Sequence, residues 1–117
     1  MRRRSKTIKS EGFLHDALSA VVPAYHLALD GEPERACVYR YTGTETIFES
    51  DEPVAARDVF QIYIYQTEYA PELPGQIIKA LRDAGFSVTA GRQAMEQFYY
   101  RDELTVSVFV PIEKEAI

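Results

Sequence analysis

Few residues of this chain combine the types and spacing that covalent catalysis requires. A nucleophilic mechanism would need Cys37 or a serine, a histidine base and an acid that orients the base, but only His15 and His26 are available as bases. Neither histidine lies in a recognised nucleophile motif, so we expect both to be solvated or to cap local structure. Because Cys37 has no second thiol to pair with, we expect it to be a small core residue without chemistry.

The sequence also contains no recognisable motif for a metal site or a phosphate site. A zinc site takes about four ligands, commonly in paired spacing, and one cysteine with two scattered histidines does not supply them. The acidic residues Glu49, Asp51 and Glu52 lack the spacing and the central glycine of an EF-hand. All six glycines are isolated, so no phosphate-binding loop is present. We therefore expect no enzymatic activity, no metal and no cofactor.

The elements that would position these residues follow from the periodicity of the apolar side chains. Helical spacing predicts a first helix over residues 12–22, with Ser10 as its N-cap candidate and Pro23 as its stop. A second amphipathic helix is expected over residues 71–84, where Lys79 and Asp83 form an i,i+4 pair and Gly85 terminates the helix. Alternating side chains predict strands over residues 36–42, 57–65, 86–91 and 104–110.

This order of elements predicts a single α+β domain over residues 10–113. We expect about four strands in a mainly antiparallel sheet, with two helices packed on one face, in the order α-β-β-α-β-β. The apolar faces of the helices and strands should share one core that contains Phe60, Ile62, Ile64, Ile77, Leu81, Val106 and Val108. Residues 1–9 are expected to form a flexible basic arm and residues 114–117 a frayed C-terminus.

Charge is distributed unevenly along the 117 residues. Five basic residues precede Glu11, and the remainder carries eight basic and eighteen acidic side chains, a formal charge of −10. Because affinity for nucleic acids depends on neutralising phosphates, binding to them is disfavoured, except for a contact by the arm from Arg2 to Lys9. No apolar run approaches the roughly 20 residues that cross a bilayer, and none follows the basic start as in a signal peptide. The expectation is a cytoplasmic protein with no membrane partner.

Two segments are suited to contacts between subunits. Residues 43–53 are polar and acidic and are expected to form an exposed loop or a long β-arm. The strand over residues 57–65 carries large side chains on both faces, so a neighbouring subunit could cover its second face; the alternative is that tyrosine merely suits strands. The candidate interface residues are Gln61, Tyr63, Tyr65, Glu49, Asp51, Glu52, Tyr99 and Tyr100.

Several stretches together resemble the tail-terminator, or tail-completion (head-tail joining), proteins of long-tailed bacteriophages. They are GFLHDALSAV, ACVYRYTG, VFQIYIYQTE, LPGQIIKALRDAGFSV and YYRDELTVSVFVPIE, and the likeness covers roughly residues 13–113. The resemblance implies a small α+β structural subunit that forms a ring, usually of six copies, at the head-proximal end of the tail tube. Its partners would be further copies of itself, the tail tube protein and the head connector or head-closure protein. It would assemble in the cytoplasm of the bacterial host and end in the neck of the virion.

Two other classes of function remain open at this point. One is a small monomeric α+β binding module that uses the tyrosine-rich sheet face, which a deep pocket would favour. The other is a hydrolase with an unrecognised carboxylate site, which would require a pair of perturbed carboxylates in a cleft. The basic arm departs from the phage family pattern, and its role is left open.

Overall fold

A computed structural model describes residues 9–112 of the chain. Two helices and five strands follow one another as α1 (Lys9–Ser19), β1 (Ala24–His26), β2 (Arg35–Glu49), β3 (Glu52–Gln66), α2 (Glu72–Asp83), β4 (Ser87–Glu96) and β5 (Tyr99–Val110). The expected basic arm and frayed C-terminus lie outside the described residues, except that Lys9 belongs to α1. Neither helix is long and apolar enough to cross a membrane.

The five strands form one mixed sheet in the order β1-β2-β3-β5-β4. β1 pairs with β2 in parallel, and the other neighbours are antiparallel. The α+β class expected from the sequence is confirmed, with one strand more than expected because β1 has only three residues. A strand that short leaves no alternating pattern to recognise.

The first helix begins earlier than its sequence pattern indicated. α1 already includes Lys9, so Ser10 lies inside the first turn and is not the N-cap. Its buried hydroxyl instead donates a hydrogen bond of 2.6 Å to the carboxylate of Asp58 on β3. Leu14 and Leu18, one turn apart, point from α1 into the core.

The second helix follows its sequence signals closely. Pro71 occupies the N-cap position with φ −61°, an angle that the proline ring favours. The expected ion pair joins Lys79 Nζ and Asp83 Oδ2 at 2.7 Å. Gly85 has a φ of +98° and donates its N–H to the carbonyl of Arg82, while Phe86 donates to that of Leu81. This is the Schellman arrangement that ends helices at a left-handed glycine.

The main core lies between the two helices and one face of the sheet. Phe60, Ile62 and Ile64 of β3 are fully buried there against side chains from α1, α2, β2 and β5. All seven residues expected in this core belong to it, although Val108 is only partly buried. A smaller cluster on the opposite face contains Val38, Tyr65 and Tyr99, with Tyr25, Leu29 and Tyr63 packed against it.

Candidate assembly surface

The β2–β3 hairpin is the longest feature of the molecule. Each strand has 15 residues, which corresponds to roughly 50 Å at the usual rise per residue, and the longest dimension of the protein is 54 Å. β5 supports β3 only as far as the pair Ala56–Val110. Beyond that pair, residues 47–55 form a two-stranded projection that no third strand joins among residues 9–112. We call this projection, residues 47–55, the arm; it is distinct from the basic N-terminal arm expected over residues 1–9.

A tight turn closes the arm. Glu49 pairs with Glu52, and Ser50 and Asp51 between them have φ values of +51° and +68°. Two left-handed residues in a two-residue loop match the type I′ turn that suits the twist of hairpins. Residues 43–53 are thus the long β-arm that the sequence left as one of two alternatives, and the loop at its end is only two residues long.

The arm carries exposed apolar side chains beside its acidic turn. Phe48 is 61% exposed, and Val54 and Ile47 are also exposed. The carboxylates of Glu49, Asp51 and Glu52 surround the turn and face solvent, as expected for candidate contact residues. The sequence interpretation missed the apolar residues, although their signal was present as isolated Ile, Phe and Val within an acidic stretch. Within residues 9–112, nothing covers these apolar side chains of the arm, and exposed apolar surface of this kind is typical of interaction sites.

A cleft of about 880 Å³ lies on the helix side of the sheet, where the helices no longer cover it. Its walls come from the start of α1 and the residues after α2, and its floor comes from β2, β3 and β5. The apolar lining includes Phe13, Ala56, Phe86, Val108 and Val110, with Lys9 at the α1 end. This cleft also escaped the sequence analysis because it depends on where two helices end relative to three strands.

Asp58 holds together the two elements that flank the cleft. Its carboxylate accepts hydrogen bonds of 2.6 Å from Ser10 of α1 and of 2.6 Å from Thr44 of β2. The hydroxyl of Thr44 also contacts that of Tyr41. These two hydrogen bonds engage both oxygens of the buried carboxylate, as buried polar groups require.

Some of the tyrosines expected to contact a partner are buried in the structure, and others are accessible. Tyr65 and Tyr99 are only 8% and 4% exposed, and their rings meet edge to face at 5.3 Å. The hydroxyl of Tyr99 donates to the carbonyl of Pro33 at 2.8 Å, and Leu29 packs on the same cluster. The segment between β1 and β2 therefore covers Tyr65 and Tyr99 within the chain, so the expectation that these two residues anchor a partner is corrected.

The remaining candidates of the tyrosine face stay partly or fully accessible. Tyr63 is half-buried beneath the guanidinium of Arg101, 5.2 Å from its ring centre. Gln61 is half-buried and accepts a hydrogen bond from Thr105 at 3.3 Å. Tyr100 is exposed and lies against Tyr69 at a ring distance of 5.6 Å. These residues lie on or beside the sheet and are not brought together with the acidic turn of the arm.

Cys37 and the two histidines each have contacts that belong to the fold. Cys37 is completely buried in the main core, and burial raises the pKa of its thiol to about 12. The rings of His15 and His26 lie 5.6 Å and 5.4 Å from the ring of Tyr39. His15 Nδ1 is 2.9 Å from the Tyr39 hydroxyl, and His26 Nε2 is 3.1 Å from the carboxylate of Glu11. They thus tie α1 to β1 and β2, a role that the sequence had not indicated.

Tyr39 is correspondingly held in its neutral form. Burial raises the pKa of Tyr39, and the nearby carboxylates of Glu11 and Asp16 raise it further. Within residues 9–112, no group of three or more His, Cys, Asp or Glu side chains could hold a metal ion. The arrangement thus provides hydrogen bonds and ion pairs that connect elements of the fold.

Comparison with known proteins shows similarity of fold and indicates no function. No protein-family model and no curated protein matches the chain. Nineteen chains of solved structures are similar to it. One of them superposes with a TM-score of 0.51 at 10% sequence identity, over 92% of this chain and 99% of its own. At that identity the similarity concerns the backbone fold alone, and the name of that protein states no function.

Proposed function

We propose that this protein is a ring-forming structural subunit of the phage tail-terminator type. One observation carries the proposal: the arm places exposed apolar side chains next to an acidic turn, beyond the last supporting strand. Buried apolar surface is what drives most protein association, and contiguous exposed apolar surface marks interaction sites. The resemblance of the sequence to tail-completion proteins agrees with a subunit whose role is assembly.

The shape of the subunit supports head-to-tail contacts. The arm and the cleft are different surfaces on one chain, and contacts between different surfaces generate rings when the rotation closes. In the proposed role, six copies close the head-proximal end of the tail tube, stop its growth and present a docking surface to the head connector or head-closure protein. Assembly would take place in the host cytoplasm, and the finished ring would lie in the neck of the virion.

The charge of the subunit bears on where a ring forms. The chain after its basic start carries a formal charge of −10, and mutual repulsion of such bodies opposes association at low salt. Binding to a tail tube would align the subunits and offset part of the ordering cost of association. We therefore expect free subunits to be monomeric at low salt and rings to form on the tube.

Gene deletion tests this function in a phage that carries the gene. Without the protein, we expect filled heads, unjoined tails and some tails of abnormal length, and expression in trans should restore infectivity. Normal infectious particles from the deletion strain would refute the role. Correctly built tails with empty heads would move the function to head completion.

A second candidate function is binding of a small ligand by a monomer. The cleft of about 880 Å³ falls within the range of roughly 300–1,000 Å³ typical of ligand pockets. Phe86→Ala removes an aromatic side chain from one wall of the cleft. This alternative predicts that the substitution changes ligand-induced thermal stabilisation in a metabolite screen. Phe48→Ser on the arm should leave that stabilisation unchanged. A screen that stabilises neither protein would leave no support for a ligand-binding module.

A further inference from the structure

We propose that the arm of one subunit inserts its tip into the cleft of the next subunit in the ring. This inference rests on the proposed ring assembly and names the contact that builds it. The tip comprises residues 47–54, which is all of the arm except Ala55. The cleft is the space between the start of α1, the end of α2 and the sheet, as described above.

The apolar surfaces of the tip and the cleft are complementary in chemistry. The tip exposes Ile47, Phe48 and Val54 to solvent. The cleft is lined by apolar groups that include Phe13, which is 59% exposed on α1. A buried aromatic side chain removes about 150–250 Å² from water, so a seated Phe48 and Phe13 would together contribute a substantial part of a small interface core.

The charges of the two surfaces have opposite signs. Glu49, Asp51 and Glu52 give the tip three carboxylates within four residues. The cleft is lined by two charged residues, Lys9 and Asp58. Asp58 is buried and both of its oxygens accept hydrogen bonds within the chain, whereas Lys9 is exposed. Complementary charges of this kind steer association and select the correct partner. The exposed Lys9 beside an apolar lining therefore suits an acidic apolar tip.

A tip that enters the cleft belongs to a different copy. Thr44, Thr46 and Ala56 belong to the same hairpin as the tip, and they line the cleft at its base. The paired strands continue from these residues to the turn, so a tip would have to fold back on its own ladder to enter the cleft of its own chain. Insertion into a neighbour keeps every hydrogen bond of the hairpin, and it joins two different patches, as a ring requires.

Mixed disulfides between variants that each carry one added cysteine test this contact in the full-length protein. Phe48→Cys places a thiol on the tip, and Phe13→Cys places one on the wall of the cleft. The native Cys37 is fully buried, and the wild-type protein measures any background from it. Met95→Cys, at a 58% exposed position on β4, is the matched control for an exposed thiol away from the cleft.

We expect mild oxidation on tail tubes, or at salt concentrations that permit rings, to give a mixed dimer of Phe48→Cys with Phe13→Cys. The mixture of Phe48→Cys with Met95→Cys should give less than a tenth of that yield. A double variant with both Phe48→Cys and Phe13→Cys should give a ladder of oligomers that ends at the size of the ring.

The other outcomes separate this inference from the proposed function. Rings seen by native mass spectrometry without the mixed disulfide would overturn the inference and leave the ring proposal standing. Dimers of Phe48→Cys with itself would mean that tips pair symmetrically, which also overturns it. A mixed disulfide that appears only after removal of residues 113–117 would assign the cleft to the C-terminus of the same chain. No assembly under any condition, tail tubes included, would refute both proposals.

Discussion

Alkaline pH should destabilise this protein, and one buried thiol, that of Cys37, should make a separable contribution. Burial raises the pKa of Cys37 from 9.0 to about 12 in the folded chain, whereas the unfolded chain exposes the thiol at its ordinary pKa. Below pH 9 the thiol is protonated in both states and costs nothing. Above pH 9 the unfolded state loses this proton first, so the free energy of unfolding falls as the pH rises.

The size of the effect follows from the shift. One pKa unit corresponds to about 1.4 kcal/mol, so the thiol removes about 1.4 kcal/mol of stability for each pH unit above 9. Between pH 9 and pH 12 the full loss is about 4 kcal/mol, and about 2 kcal/mol of it is already lost at pH 10.5. Typical domains have only about 5–15 kcal/mol of stability in total, so the change is easily measured.

Urea denaturation at pH 8, 9, 10 and 10.5 measures this loss, with Cys37→Ala as the control. Buried tyrosines such as Tyr39 and Tyr65 also have raised pKa values, but their contribution is common to both proteins. The difference in unfolding free energy between wild type and Cys37→Ala should therefore change by about 2 kcal/mol over this range. A difference that stays constant with pH would refute the burial of the thiol.

Three further substitutions test the core, a buried polar contact and the arm. Leu81→Ala should cost about 2–5 kcal/mol because Leu81 is fully buried in the main core; an unchanged denaturation midpoint would contradict the core assignment. Gln66→Met should cost about 1–3 kcal/mol because the buried Gln66 amide bonds both the N–H and the carbonyl of Ala70; equal stability would show that water replaces the amide. Phe48→Ser should change the unfolding free energy by less than about 0.5 kcal/mol, as exposed substitutions usually do, yet fail to restore infectivity to a deletion strain; full restoration would separate the arm from assembly.

The parts of the fold that depend on neighbouring residues could be predicted from the sequence. The second helix is an example, because its proline start, its i,i+4 ion pair and its terminating Gly85 are all signals within a few residues of one another. The parts that depend on pairing between residues far apart in the sequence could not be predicted. β1 exists because three residues pair in parallel with Cys37, Val38 and Tyr39, and no local pattern indicates such a short strand.

The candidate assembly surface also depends on contacts between distant residues, so the sequence predicted it only in part. Alternation along β3 correctly indicated large side chains on both faces, but it could not show whether the second face is covered from within the chain or by a partner. The structure gives part of the answer, because the segment that carries Leu29 and Pro33 folds over Tyr65 and Tyr99. The turn at Ser50 and Asp51 carried no glycine to mark it as tight, so the arm could not be distinguished from a loop.

Electron microscopy of tails assembled with this protein tests the ring most directly. We expect image averages of the head-proximal tail end to show a closed ring of six copies of this chain, absent from tails made without it. Mass spectrometry of the same particles should give six copies per tail. Tails that carry no copies, or a single copy at another position, would contradict the proposal that this protein closes the tail as a ring.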